Sequence, residues 1–320
     1  MNEFDLIRRY FAERGVRRAD VPLGIGDDAA LLTPPPGQSL AVSVDTLHSG
    51  VHFAPDTPPA DLGHKALAVN LSDLAAMGAE PAWATLALSL PAADEAWLSA
   101  FADGFFALAE RHGVQLVGGD TTRGPLSVTV QVHGFVPPAL ALRRRGARPG
   151  DHIFVTGSLG DAGAGLAIEQ GRLALAGPPA AFLVARLHRP TPRVAAGLAL
   201  RGLASAAIDI SDGLSQDLGH ILAASGVGAE LEIEALPLSD ELLASGIDRP
   251  WRLAASAGDD YELCFTAAAD ADLGVGDALG CAVTRIGRIT AEPGLRWLDA
   301  DGQACEPPPR GWDHFARGEA

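Results

Sequence analysis

Lysine is almost missing from this chain: Lys65 is the only one in 320 residues, and it sits inside a helical pattern. No GxxxxGK[ST] motif occurs, so a P-loop, which holds phosphates through a lysine, is excluded. Any bound phosphate must then be neutralised by metal ions and arginine. Cysteine is scarce too. Cys264, Cys281 and Cys305 form no CxxC pair, which excludes a disulfide scaffold and a zinc or iron–sulfur site and makes a reducing compartment the default. The N-terminus is charged and lacks an apolar leader stretch, and no apolar run reaches the roughly 18 residues of a membrane span. The expectation is a soluble cytoplasmic protein. Positive charge is in deficit, with 24 Lys and Arg against 40 Asp and Glu for a net charge of −16. Such a field repels polyanions, which excludes a duplex-binding nucleic-acid module, and suits multivalent cations. The nine histidines show no HExxH spacing.

The length suits two domains, and the hydrophobic share, 48%, suffices for buried cores. The patterning predicts an amphipathic helix over 3–14, a strand from Leu40 (LAVSVDTL), a helix over 61–79 and a strand over 85–91. A helix over 94–112, VQLVGGD and a long strand over 126–136 follow. Between 137 and 151, PPALALRRRGARPGD loses its apolar period, which reads as an interdomain connection with a boundary near Gly150. Beyond it HIFVTG, a glycine-rich turn and helix, SAAIDIS, a helix over 214–225, AELEIEAL, YELCFTA and VTRIGRI compose a second α/β domain.

Gly24-Ile25-Gly26-Asp27-Asp28-Ala29 matches GxGxxA, yet a dinucleotide fold is rejected. Pro34, Pro35 and Pro36 stop the long helix that would have to open there, and two aspartates would repel a pyrophosphate. Aspartates recur at strand ends and turns instead: Asp27 and Asp28, Asp45, Asp120, Asp209 and Asp212, Asp259 and Asp260. In Val42-Ser43-Val44-Asp45 and in Ile208-Asp209-Ile210-Ser211 the period of two gives each strand a hard-oxygen face and an apolar face expected to be buried. Asp212 could equally cap a helix, and Asp120, after Gly118-Gly119, could close a turn. Asp73 lies on the stripe of Leu62, Ala66 and Val69 in a helix apolar nearly all round. A buried carboxylate needs a cation or several donors, and Mg²⁺ is the economical candidate. The Gly157–Gly163 turn after HIFVTG either cradles a phosphate or is only a turn, and Arg143-Arg144-Arg145 either grips phosphate or is a solvated linker. His52 either meets a substrate phosphate or satisfies a loop, and Trp312 reads most simply as a core or interface aromatic.

Taken in order, GIGDDAALL, SVDTL…HF, KALAVNLSDLAAMGA, GGDTTRGPLSVTVQVHGFVP, RRRGARPGD, VTGSLGDAGAGLA, HRPTPRV, AIDISDGLSQDLGHI and GDDYELCF resemble the thiamine-monophosphate kinase family over nearly the whole chain. The resemblance implies the two-domain, mixed α/β (α+β) fold of aminoimidazole ribonucleotide synthetase-like proteins. Residues 1–149 would be the N-terminal domain that binds ATP and Mg²⁺ and pairs its sheet across a homodimer into a barrel. Residues 150–320 would be the C-terminal α/β domain completing the active site. The implied activity is ATP-dependent phosphorylation of thiamine monophosphate to thiamine diphosphate, the last step of that cofactor's synthesis, with several Mg²⁺ ions and no general base. Carried over by position, Asp28, Ser43, Val44 (through its main-chain oxygen), Asp45, Asp73, Asp120, Asp209 and Asp212 form the metal shell. Gly119, Asp120, Arg144, Ser211 and Asp103 contact ATP, and His52, Asp259 and Trp312 hold thiamine monophosphate. Position 44 is Val where relatives can carry Thr, 259 is Asp where Glu is common, and 103 is Asp where some relatives have Tyr. The alternatives are another ATP-dependent member of the superfamily that activates an amide or acid oxygen, and a non-enzymatic protein binding divalent cations or thiamine phosphates.

Overall fold

The computed structural model of the chain describes residues 3–271, 279–309 and 311. It divides into two compact units, one formed by residues up to Leu74 with Ala79–Ala141, the other by Ala75–Gly78 with the chain from Leu142 onward.

The first unit opens with α1 (Glu3–Ile7), which passes into a π-type turn over Arg8–Ala12 that buries Tyr10 and Phe11, so the expected single helix is irregular. β1 (Ser39–His48), α2 (Pro59–Ala76), β2 (Glu80–Leu90), α3 (Glu95–Arg111), β3 (Gln115–Arg123) and β4 (Ser127–Val136) follow. The sheet order is β1-β4-β2-β3. β2 and β3 are parallel through the α3 crossover, and β4 is antiparallel to both of its neighbours. α2 is apolar nearly all round because it is a core element: Leu62, Leu67, Leu71 and Leu74 are at most 1% exposed. Each such leucine contributes about 1.5–3 kcal/mol through burial. Asp94 starts α3 by accepting from the amides of Ala96 and Trp97.

Two strand bounds differ from the sequence expectation. β2 begins at Glu80, and Pro81 is tolerated because the pairing with β4 shifts register between Pro81 and Trp83. Gly118-Gly119 is no turn but lies within β3. At Gly119 a Cβ would come 1.8 Å from the Leu86 carbonyl oxygen, and φ is +146°; only glycine lets β3 press this closely on β2.

The second unit carries a sheet of order β10-β7-β9-β5-β8-β6, built from β5 (His152–Thr156), β6 (Ala204–Asp209), β7 (Gly228–Glu232), β8 (Leu263–Ala267), β9 (Val283–Thr290) and β10 (Gly294–Leu298). Its helices are α4 (Asp161–Glu169), α5 (Pro178–His188), α6 (Val194–Ala199), α7 (Leu214–Ser225), α8 (Asp240–Leu243) and α9 (Trp251–Ser256). α7 buries Leu214, Leu218 and Ile221, one stripe at helical spacing, in a core with Ile153, Val155, Ile208, Ile286 and Trp297. No described helix is long and apolar enough to cross a membrane.

Candidate functional site

In the first unit β1 alternates as its sequence requires, but the faces are exchanged relative to the expectation. Ser43 and Asp45 point to the side of α2 and are half-buried. Leu40, Val42 and Val44 are the open ones, at 43%, 53% and 54% exposure. The period-two pattern specifies which residues share a face; which face is covered depends on where α2 packs.

On the α2 side, the Ser43 hydroxyl donates to the Asp73 carboxylate at 2.5 Å. The Asp45 amide donates to Asn70 Oδ1 at 3.1 Å, and Asn70 is itself held by donating to the Ala66 carbonyl one turn back. Burial, and then the neighbouring charge of Asp73, push the Asp45 carboxyl up to about 6. Two carboxylates and a hydroxyl that crowd one another are a hard-oxygen donor set, and they fit a divalent cation better than they fit each other. Among the described residues, no group of three or more His, Cys, Asp or Glu side chains is gathered tightly enough to hold a metal ion alone.

The other positions of this unit are more dispersed. Asp120 pairs in register with Ala87, Ala87 with Thr129, and Thr129 with Thr46, which puts its side chain on the sheet face opposite to Asp45. Asp28 is exposed, its amide donating to Asp27 Oδ1 at 2.8 Å, and no helix opens at Gly24-Ile25-Gly26. Asp103, on α3, is ion-paired with Arg14 at 2.6 Å on the surface. His52 accepts the main-chain N–H of His48 on Nδ1 at 3.0 Å, so the neutral ring carries its proton on Nε2.

In the second unit Asp209 ends β6, buried, and Ser211 and Asp212 form the turn into α7. The turn is clamped by Asp217, whose Oδ2 accepts the amides of Ser211, Asp212 and Gly213, each at 3.0 Å. Burial pushes this carboxyl up to about 7 against the pull of those amides. Gln216 donates to Asp212 Oδ2 at 3.1 Å. At the far end of α7 the Ser225 hydroxyl accepts the amides of Gly146 and Ala147, tethering the loop of the exposed Arg144. Asp259 is joined to the first turn, its amide donating to the Ser211 carbonyl at 2.9 Å. Trp312 lies outside the described residues.

The glycine-rich turn ahead of α4 serves the fold. The Gly157 amide donates to the Ala282 carbonyl and the Leu159 amide to the Pro237 carbonyl. The Gly160 amide donates to both oxygens of the buried Asp260 at 3.0 and 2.9 Å. These donors of the expected phosphate cradle are taken by the protein itself. Around them Glu262, fully buried, accepts Arg193 at 2.5 and 2.6 Å, Arg186 at 2.9 Å and the Thr156 hydroxyl at 2.7 Å. Asp161, also fully buried, accepts the hydroxyls of Ser158 and Ser239. GSLGDAG, HRPTPRV and GDDYEL thus meet in one buried ionic network. Sequence reasoning missed Asn70, Asp217, Tyr261, Glu262 and the two arginines, and it placed Asp260 only among the aspartates at strand ends and turns. Only Asn70 carried a local signal, standing one helical turn before Asp73.

Comparison with known proteins adds the following. Residues 26–136 match the AIR synthase related protein N-terminal domain, and residues 148–298 match the C-terminal domain. The chain is similar to a thiamine-monophosphate kinase of Salmonella typhimurium, 54% identical over 98% of both sequences. Among solved structures it resembles thiamine-monophosphate kinase from Stenotrophomonas maltophilia, with 52% identity, a TM-score of 0.85 and 94% and 96% of the two chains covered. It also resembles a structure described as AaThiL complexed with AMPPCP and TMP, with 34% identity, a TM-score of 0.78 and 91% and 92% covered.

Proposed function

This chain belongs to the AIR synthase related proteins and, within them, to the thiamine-monophosphate kinase family, and from that premise we infer that it transfers the γ-phosphoryl group of ATP to thiamine monophosphate, forming thiamine diphosphate and ADP. The observation that carries this reading is the near-full-length identity to kinases of that name, 54% over 98% of the chain. A relative solved with AMPPCP and TMP supports the same pair of substrates.

The chemistry suits the residues. A phosphate monoester is already ionised at neutral pH, so an acceptor of this kind needs no general base. One of its oxygens forms a bond to the γ-phosphorus as the bond to the bridging oxygen breaks, and ADP leaves with the electron pair. No phosphoenzyme is needed. The obstacle is the meeting of two polyanions in a chain of net charge −16. In the first unit Ser43, Asp45 and Asp73 on one side of the sheet, with Asp28 and with Asp120 from its other side, and in the second unit Asp209 and Asp212, are the residues proposed to hold Mg²⁺ ions. When bound, such ions neutralise the charge on the phosphoryl oxygens and hold the reacting groups in line. Arg144, Ser211 and Gly119 are assigned to ATP. His52, through Nε2–H, and Asp259 are assigned to the thiamine ester. With the substrate's thiazolium positively charged, a carboxylate at 259 is its natural counter-ion.

The open row of Leu40, Val42 and Val44, on a strand at the edge of its sheet, supports a homodimer that covers this face. An ATP-using enzyme with three unpaired cysteines belongs in the cytoplasm.

Phosphorus NMR of the full chain with ATP, Mg²⁺ and thiamine monophosphate tests the reading. Thiamine diphosphate and ADP should appear in equal amounts. ATP left unchanged, or ADP with free phosphate and no thiamine diphosphate, would overturn it.

A further inference from the structure

The loop that joins α9 to β8 has an unusual backbone. Apart from Arg249, the non-glycine residues with positive φ among those described are Asp259 at +66° and Tyr261 at +49°. Left-handed conformations at bulky residues cost on the order of 1 kcal/mol or more each and persist only where the surroundings impose them. Here the surroundings do so at every residue. A Cβ on Gly258 would stand 2.2 Å from the Ser211 carbonyl oxygen. The Asp259 amide donates to that same carbonyl, and the Tyr261 amide donates to the Ile210 carbonyl. Asp260 is locked on the Gly160 amide, and Glu262 is locked between Arg186 and Arg193. Asp260 and Glu262 point into the buried network. Asp259 stands just ahead of both in sequence and is half-exposed.

What the strained backbone accomplishes is a side-chain contact. With both residues left-handed, the Tyr261 hydroxyl reaches back two positions and donates to Asp259 Oδ1 at 3.1 Å, while the ring is buried to 9% exposure. Resting on the kinase reading above, we propose that Tyr261 is a positioning residue for substrate selection. Its hydroxyl holds the Asp259 carboxylate at a fixed angle for the cationic thiamine moiety, leaving the phosphoryl transfer itself to other groups. A carboxylate one methylene shorter than glutamate has less freedom to find its partner, so the anchor must supply the aim. Main-chain strain at a ligand-holding position is stable here because the ionic network beneath it over-determines the loop.

The test is Tyr261→Phe in the full chain, which keeps the ring and removes one hydroxyl. A hydrogen bond to a charged group is worth enough to change binding roughly ten- to a hundredfold. KM for thiamine monophosphate should rise by about that factor, with KM for ATP within about twofold of wild type and kcat little changed. In an Asp259→Ala background the same substitution should have no further effect on that KM, because the hydroxyl acts through the carboxylate. Equal changes in both KM values, a loss confined to kcat, or a full additional penalty in the Asp259→Ala background would each overturn the proposal. A Tyr261→Phe protein that no longer melts cooperatively would assign the hydroxyl to the fold and overturn it as well. Wild-type protein that converts no thiamine monophosphate would overturn the kinase reading first, and this inference with it.

Discussion

Asp45→Asn separates stability from function at the carboxylate pair. In the metal-free protein, burial and Asp73 raise the Asp45 carboxyl from 3.8 to about 6. At about 1.4 kcal/mol per pH unit, this places a ceiling of about 3 kcal/mol on the cost of ionising it in the folded state. The group is half-buried, so partial screening by water brings the expected cost to about 1–3 kcal/mol. The direction follows from linkage. The folded state binds this proton more tightly than the unfolded chain does, so its contribution is fully present below pH 3.8 and is lost as pH rises through about 6. Asparagine keeps the shape and carries no charge. Urea unfolding of both proteins in chelator should show them nearly equal at about pH 4, with the variant more stable by about 1–3 kcal/mol at about pH 8. Adding Mg²⁺ at the higher pH should stabilise the wild type and leave the variant where it was. Equal stabilities at both pH values, or a variant weaker than wild type at about pH 8 in chelator, would refute the argument that these carboxylates repel one another until a cation arrives.

Three further outcomes are expected. Asp73→Asn should lower turnover by orders of magnitude at saturating Mg²⁺ while the far-ultraviolet circular dichroism is retained; unaltered kinetics would remove Asp73 from the cation site. If the open face of β1 is the dimer surface, light scattering should give a dimer for the wild type and a monomer for Val42→Glu with Val44→Glu, with unchanged unfolding of the monomer as the control. Glu262→Ala removes the carboxylate that half-buried Arg193 pairs with and leaves Arg186 only its longer contact to Asp161 at 3.4 Å, and should destabilise the second unit by about 3–5 kcal/mol, read from the urea midpoint.

Much of the architecture was legible in one dimension. The apolar periodicities of α2, α3 and α7 mark helices because a 3.6-residue repeat places their leucines on one side or, in α2, all round. The alternation of β1 marks a strand for the same geometric reason with a period of two. Local pattern also rejects a dinucleotide fold, since prolines that cannot continue a helix do so in any context. The pairing of Ser43 and Asp45 on one face follows from that alternation and needs no partner to be inferred.

What sequence pattern leaves open is which of two locally equivalent arrangements the rest of the molecule selects. The face of β1 that faces α2 is the polar one, because helix placement, not alternation, decides coverage. Gly118-Gly119 has the composition of a turn and lies in a strand, because β2 comes too close for any side chain at Gly119. GSLG has the composition of a phosphate cradle, but the amides of Gly157, Leu159 and Gly160 donate to groups far away in sequence, with Asp260 on Gly160 (|i−j| = 100). Composition and local periodicity by themselves determined the α/β class, the helices and strands and the acidic, lysine-poor chemistry, because short-range sterics and burial act on neighbours along the chain. Tertiary structure alone decided that Asp45 and Asp73 stand close enough to feel each other's charge, that Asp217 clamps the Ser211 turn, and that the Tyr261 hydroxyl donates to Asp259 on a strained loop. Those contacts depend on long-range packing, where close approach, desolvation and charge compensation are settled only once the chain has folded.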